Sequence, residues 1–438
     1  MKRNDLPHTV QKYIEKYSIK TWELLNSSKE KYELAVVIPV ISEFENVKIL
    51  LDSLSRNKEK EKVILIFVVN NLKSSSKTVK TDNLNLLAYL KSLRKNNKYG
   101  LNINFIDAAS SENELPEKNG GVGLARKIGM DAALKVFDYN SPNKKIISAL
   151  DADCRVQNNY LSEIINKINA ENISAAYVNF SHSLPEDIEN KLAIINYEIF
   201  LRYYVLGLKF ARSPYDIHTI GSTIIVDFES YIKIGGMNKR KAGEDFYFME
   251  KLAKVVEINT IDSTTVYPSA RSSWRVPFGT GQRVGRFLLH KQNEYLLYSP
   301  KSFKILKQWL DIFNSDRVLT SQEYLDKAKI IDNSLYNFLQ LNKFSENWNK
   351  ILTNSRSSGQ IKLQKKLWFD GFKTLKLIHY LRDNAYPDTN MFEAVDELIN
   401  ILNVKNSIKY KDVIPSISEQ IRYLDLLREI ENQWRIDN

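Results

Sequence analysis

The sequence predicts an α/β fold: a mostly parallel sheet flanked by helices, followed by an all-helical C-terminal domain. Three observations predict it. Short apolar runs rich in β-branched residues recur at 34–40, 63–69, 103–107 and 146–150, with helix-spaced stretches between them. Such alternation builds right-handed crossovers between parallel strands. The run 63–69 is apolar throughout, as a strand buried on both faces must be. From about residue 300 glycine nearly disappears, and Lys-, Leu-, Ile- and Asn-rich helical patterns continue to the end.

The elements follow in order. Val10, Tyr13, Ile14, Tyr17, Trp22 and Leu25 stand at helical spacing, so residues 9–26 should form a helix within a prefix spanning 1–30. The strand at 34–40 should end near Pro39, which cannot donate to a ladder. Ser42 is expected to cap a helix over 44–56, with Glu45 completing a capping box. After the strand at 63–69 come Asn70-Asn71, a polar loop at 73–82 expected to be mobile, a helix at 84–94 and the strand at 103–107. Next are a helix at 160–168, a strand at 174–180 and a long aromatic-rich helix at 186–210. A turn and strand follow over 216–226, then a short helix at 228–234 closed by Gly235-Gly236. Further helices are expected at 321–342, 361–382 and 416–436. No fixed-period repeat is present, which argues against a solenoid. The expected domains are the prefix 1–30, an α/β domain 31–298 and a helical domain 299–438.

Bulk chemistry narrows the partners. Lys and Arg number 63 against 52 Asp and Glu, a formal charge of +11 that favours anionic partners such as nucleotide diphosphates or a membrane surface. The lysines are scattered rather than blocked, which argues against nucleic acid. Cys154 is the single cysteine, so no internal disulfide forms, and a reducing compartment is suited. The N-terminus leads into no apolar signal core, and no run of about 18 uncharged apolar residues exists. The nearest approach, 192–211, is interrupted by Glu198, Arg202 and Lys209 and reads as a buried or groove-lining helix. The expected location is the cytoplasm, at or off the inner face of the membrane.

The candidate chemistry centres on Lys145-Ile146-Ile147-Ser148-Ala149-Leu150-Asp151-Ala152-Asp153-Cys154. An apolar strand ends in two aspartates, at the carboxyl edge where open α/β sheets bind ligands. In extended backbone both would point the same way. Two adjacent carboxylates repel unless a cation neutralises them, and a hard divalent ion sharing substrate phosphate oxygens would do so. A solvated turn is the plain alternative. Upstream, Asn119-Gly120-Gly121-Val122-Gly123-Leu124-Ala125-Arg126 opens a helix whose free amides could hold phosphate. The dinucleotide fingerprint does not fit, because Arg126 takes the third glycine position and no strand precedes. Arg126 and Lys127 sit where a helix start prefers acids, which suggests that they face an anion. Glu244 and Asp245 open a later helix, where they could simply complement its dipole. Arg271, Arg275, Arg283 and Arg286, among glycines and aromatics, form a candidate anion clamp, since guanidinium grips phosphate bidentately.

In this order the segments resemble family 2 glycosyltransferases of the GT-A fold, a Rossmann-like architecture, over about 34–286. Val36-Val37-Ile38-Pro39 followed by Glu43 resembles the family's opening strand and nucleotide-contacting acid. Residues 119–129 resemble its Gly-x-x-x-Ala-Arg-x-x-Gly segment, and Asp151-Ala152-Asp153 its metal-binding Asp-x-Asp. Gly235-Gly236 and Glu244-Asp245 resemble its acceptor-side motifs. Asn70-Asn71 departs from the family, which usually carries aspartate there. The resemblance implies a transferase that moves a sugar from a nucleotide-diphosphate sugar to an acceptor hydroxyl, on a glycan, a lipid-linked molecule or a small molecule. Inversion is favoured over retention. Mg2+ or Mn2+ would sit on Asp151 and Asp153. The donor would meet Pro39, Glu43, Asn70, Gly121, Arg126, Asp151, Arg271, Arg275 and Arg283. The acceptor would meet His218, Gly236 and Glu244, with Asp245, joined by Glu244, as general base. A nucleotide-sugar-binding or scaffold protein without turnover is the alternative on the same fold. A nucleotidyltransferase would need a basic glycine-rich loop after the first strand, which Val40-Ile41-Ser42-Glu43 is not. The oligomeric state stays open.

Overall fold

The computed structural model describes residues 6–25, 30–272 and 279–436. The chain divides into two compact units. The first holds Met1–Pro185 and Thr219–Gln282, the second Glu186–His218 and Arg283–Asn438.

The first unit is built on one eight-stranded sheet. Its strands are β1 (Leu34–Val40), β2 (Val63–Asn70), β3 (Asn102–Ala108), β4 (Ile146–Ala149), β5 (Arg155–Val156), β6 (Ala175–Phe180), β7 (Ile224–Asp227) and β8 (Asn259–Tyr267). Their spatial order is β3-β2-β1-β4-β7-β6-β8-β5. Ladders β1–β2, β1–β4, β2–β3 and β6–β8 are parallel. β7 runs antiparallel between β4 and β6, and β5 runs antiparallel to β8. Six of the eight strands therefore point the same way, and the sheet is mixed through the two short reversed strands. β2 is buried along its whole length, as its continuous apolar run requires. The helix Val122–Ala133 lies on this centre. A Cβ at Gly129 would overlap Val37, so only glycine lets the helix backbone approach β1 that closely.

Local expectations fail where distant groups take over. The first helix covers only His8–Tyr17 rather than 9–26. Beyond it, the amide of Ile19 donates to Asp131 Oδ2 at 3.1 Å, an acceptor on the helix Val122–Ala133. Ser42 does not cap the helix Phe44–Ser55. Its φ of 53° is left-handed, and its amide donates to Asn83 Oδ1 at 2.9 Å. The orphan amide of Phe44 is satisfied instead by Asp82 Oδ2 at 3.1 Å. The region read as a mobile loop at 73–82 carries the start of the helix Lys77–Asn96, capped by Ser76.

The second unit is helical. The long helix Ile188–Phe210 shares its buried apolar residues with Pro300–Phe313, Ser321–Ile331, Met391–Ile401 and Ile417–Ile436. Trp309 and Phe313 stack there with ring centroids 4.9 Å apart. A buried ion network crosses this core. Arg202 binds Glu198 at 2.8 Å and Glu431 at 2.5 Å, and Arg428 binds Glu198 at 2.8 Å. Two helices expected as single are each divided. Asp332 breaks 321–342, capping Asn333–Leu341 through the Ser334 amide at 2.7 Å. Asp370 likewise caps Gly371–Asn384 after Ser358–Trp368, through the Lys373 amide at 2.9 Å. Aspartate favours such caps over helix interiors because its carboxylate serves exposed amides. Among the described residues no helix is long and apolar enough to cross a membrane.

Candidate functional site

Among the described residues, five carboxylates and two guanidinium groups gather in the first unit around the segments that follow β1 and β4. β4 stops at Ala149, and the Asp151 carbonyl accepts from the Cys154 amide at 3.1 Å. The two aspartates thus sit in a tight turn rather than in extended backbone, and they take different partners. Arg126 Nη2 meets Asp151 Oδ1 at 2.5 Å, while its Nη1 donates to Glu244. Arg271 Nη2 meets Asp153 Oδ2 at 2.9 Å and also binds Glu43. Asp245 belongs to the same field, since Arg126 and Asp151 both act on its charge.

Glycines make these approaches. A Cβ at Gly221, in the turn Gly221–Thr223, would overlap the Arg126 guanidinium. A Cβ at Gly123 would overlap the Arg240 carbonyl and come within 3.0 Å of Glu244 Cβ. The helix Glu244–Ala253 therefore reaches Val122–Ala133 because position 123 has no side chain. Gly121, expected to approach phosphate, faces Lys241, whose Cα would lie 3.0 Å from an added Cβ.

The electrostatics follow from burial. The Arg126 guanidinium is held protonated between Asp151 and Glu244 against its own desolvation. Its Nε is buried and has no hydrogen-bond partner among the described residues. Burial pushes Glu244 up to about 7; Arg126 pulls it back, and Asp245 and Asp151 push it further up. Burial, then the Asp151 charge, raises Asp153, with Arg271 opposing. Burial also raises Asp245. The Cys154 thiol is pushed up by burial and by both aspartates, so it is no nucleophile.

This donor set fits a divalent cation of the Mg2+ or Mn2+ type. Among the described residues five acids stand against two arginines, and a hard cation relieves such repulsion. Among the described residues no group of three or more His, Cys, Asp or Glu side chains forms a metal cage. The protein would therefore offer the pair Asp151 and Asp153, with substrate phosphate oxygens and water filling the rest, as Mg2+ sites commonly do.

The remaining sequence candidates are placed as follows. Pro39 stays inside β1, half-buried, and pairs with Val68 without ending the strand. Asn70 is buried, and its amide donates to the carbonyls of Val40 at 2.9 Å and Val68 at 3.0 Å. Gly236 has φ +75°, and a Cβ there would overlap the Tyr13 phenol. That phenol and Tyr231 both donate to Asp131 Oδ1 at 2.8 Å. Lys127 is buried with them and pairs with Asp131 at 3.1 Å. His218 and Arg283 belong to the second unit. The His218 ring lies 2.8 Å from Glu431, while Arg283 pairs with Glu294 at 3.4 Å and stacks over Phe200 at 4.6 Å. Arg275 lies outside the described residues.

Sequence reasoning missed Asn83 and Gly221. The Asn83 amide donates to the Asn70 carbonyl at 2.9 Å and to Asn71 Oδ1 at 2.8 Å, locking the loop ends after β1 and β2. An asparagine inside an amphipathic helix gives no local sign of this. Gly221 stands just before a strand beside Ser222, which hints only at a tight turn.

No protein-family model and no curated protein matches the chain. Among solved structures, the crystal structure of S. aureus TarS 1–349 is similar over 81% of this chain and 93% of that chain, at 12% identity and a TM-score of 0.38. The same protein in complex with UDP-GlcNAc covers 73% of this chain and 92% of its own, at 12% identity and a TM-score of 0.37. The mannosyltransferase PcManGT from Pyrobaculum calidifontis, in complex with GDP-Man and Mn2+, covers 97% and 92% respectively, at 12% identity and a TM-score of 0.35.

Proposed function

We propose that the chain is a metal-dependent glycosyltransferase that moves a sugar from a nucleotide-diphosphate sugar to an acceptor hydroxyl, with inversion at the anomeric carbon. The observation that carries this reading is one guanidinium, Arg126, held between Asp151 after β4 and Glu244 at the head of a later helix. Candidate metal-side acids and a candidate base thereby share one cluster.

Asp151 and Asp153 would hold Mg2+ or Mn2+, which when bound offsets charge on the leaving diphosphate. Arg126 and Arg271 add fixed positive charge on the donor side, the electrostatic contribution that is usually largest. Glu43 holds Arg271 in place. Glu244 is tied to Arg126, which leaves the more exposed Asp245 to receive the acceptor proton. The acceptor oxygen forms its bond to the anomeric carbon as the carbon–oxygen bond to phosphate breaks. The proton passes to Asp245, and the nucleotide diphosphate departs. A raised carboxyl suits such a base, because its proton affinity lies nearer neutral pH. Arg283, proposed for the donor, pairs with Glu294, and His218, proposed for the acceptor, lies beside Glu431.

The test is nucleotide-diphosphate release from UDP-, GDP- and dTDP-sugars by the purified full chain, with Mn2+, Mg2+ or chelator. Asp153→Ala should abolish release, and Asp245→Asn should lower transfer by about 100- to 10,000-fold, both with melting little changed. Normal turnover in either variant removes that residue from the mechanism. A non-catalytic nucleotide-sugar binder is the second reading, favoured by Asn70, whose amide is engaged by backbone carbonyls. Tight metal-dependent binding with no release from any donor would select it.

A further inference from the structure

A cleft of about 440 Å³ opens in the second unit, along the helices Phe344–Asn354 and Ser358–Trp368. That volume is within the range of small-ligand sites. Its walls carry Asn347, Lys350, Asn354, Ser355, Gln364 and Trp368. Among the described residues no carboxylate, histidine or cysteine lines it, which argues against metal ions and cationic ligands. Among the described residues Lys350 lines it and Lys373 stands at the Trp368 ring, too few cations for a polyphosphate.

The polar groups of the wall are open. Among the described residues the side-chain amides of Asn354 and Gln364 make no hydrogen bond. Among the described residues the Ser355 hydroxyl oxygen is buried and has no hydrogen-bond partner. Asn347 donates through Nδ2 to the Lys343 carbonyl at 2.9 Å and the Asn342 carbonyl at 3.3 Å, which leaves its own Oδ1 available. Gln360 also lines the cleft, but both ends of its amide are used. Its Oε1 accepts from the Arg356 amide at 2.9 Å, and its Nε2 donates to the Asn354 carbonyl at 3.5 Å. The Trp368 ring is half-buried, packed against Phe344 at 5.1 Å with the Lys373 ammonium 4.7 Å from its centre. Ile351 and Leu367 supply the apolar remainder.

We propose that this cleft binds a neutral saccharide. A sugar hydroxyl both donates and accepts, and a side-chain amide answers with two donors and an acceptor in one plane. The carbon face of a pyranose is apolar and suits a rigid indole beside Ile351 and Leu367. Free amides, an unpartnered hydroxyl and a fixed aromatic ring, with no carboxylate in the wall among the described residues, match that chemistry better than they match a metal or a cation. The proposal does not rest on the transferase reading, because its readout is binding alone.

The experiment is saturation-transfer NMR on the full chain with three probes, maltopentaose, chitotetraose and an α-mannotetraose, and a neutral hexapeptide as control. At least one oligosaccharide should bind with Kd at or below about 1 mM, a modest affinity usual for few contacts. The double variant Asn354→Ala, Gln364→Ala should weaken binding at least about tenfold while melting and nucleotide release stay unchanged. Trp368→Ala supports the same conclusion where it folds, and the double variant decides where it does not. No binding of any oligosaccharide up to about 10 mM overturns the proposal. So does unchanged binding in the double variant, or tighter binding of the hexapeptide.

Discussion

Replacing Arg126 by methionine removes the guanidinium but keeps most of the side-chain volume. Asp151 and Glu244 both lose their counter-charge, yet not equally. The Asp151 side chain is 37% exposed and can turn to water, whereas Glu244 is 4% exposed and cannot. Stranding one member of a buried pair costs about 3–5 kcal/mol. Protonation limits that loss. Glu244 already stands near 7 through burial, and Arg126 is the main force holding it down. Without Arg126 its pKa rises further. A carboxyl with a folded-state pKa above its unfolded value binds its proton more tightly when folded. Stability is then greatest below the unfolded pKa and falls as pH rises towards the folded one. In the native protein that window closes near 7; in the variant it extends above 7. We therefore expect a loss of about 3 kcal/mol near pH 9 and a clearly smaller one near pH 6. For a unit of this size that is a drop of roughly 6–12 °C in Tm near pH 9. Scanning calorimetry of the full chain across that range measures it, since two compact units need not melt together. Adding Glu244→Gln should recover most of the loss at high pH. Equal losses at both pH values, or no recovery in the double variant, would refute the account of Glu244 as the stranded acid.

Three further outcomes are expected. Gly221→Ala pushes a methyl group into the Arg126 guanidinium and should lower stability by about 1–3 kcal/mol together with turnover, read from a thermal melt and kcat; wild-type values for both would show that the guanidinium tolerates displacement. Arg271→Ala removes a counter-charge from Asp153 and Glu43, so calorimetric titration should show Mn2+ binding about two- to tenfold tighter while turnover falls; weaker Mn2+ binding would contradict Asp153 as a ligand. Glu431→Leu removes one of the two carboxylates seen on buried Arg202 among the described residues, and a carboxylate beside His218, at a cost of about 3–5 kcal/mol to the second unit by calorimetry; a change under about 1 kcal/mol would mean that the network is dispensable.

Legibility in the sequence tracked burial. β1 and β2 stood out because a strand covered on both faces must be apolar throughout. β8 did not, because Asn259–Tyr267 mixes Asn, Asp, Ser and Thr with few buried positions. β5 is two residues long and has no pattern to read. The capping box at Ser42 was locally plausible, but Asp82 reached the Phe44 amide from 38 positions away. In the candidate site the acids and arginines were named from their motifs. Asn83 and Gly221 were not, since an amide that locks loops and a glycine that seats a guanidinium look ordinary in one dimension.

Taken alone, the amino-acid order determined where buried strands run, where helices begin to repeat, and which positions carry charge. These are short-range properties of side-chain polarity and period. Only the tertiary structure decided that Arg126 pairs with Asp151 and Glu244, and that Arg271 pairs with Asp153 and Glu43. Coulomb attraction depends on distance through space, and Arg126 meets Glu244 across 118 intervening steps of chain. No local pattern encodes such a meeting; the packing of Gly123 and Gly221 brings it about.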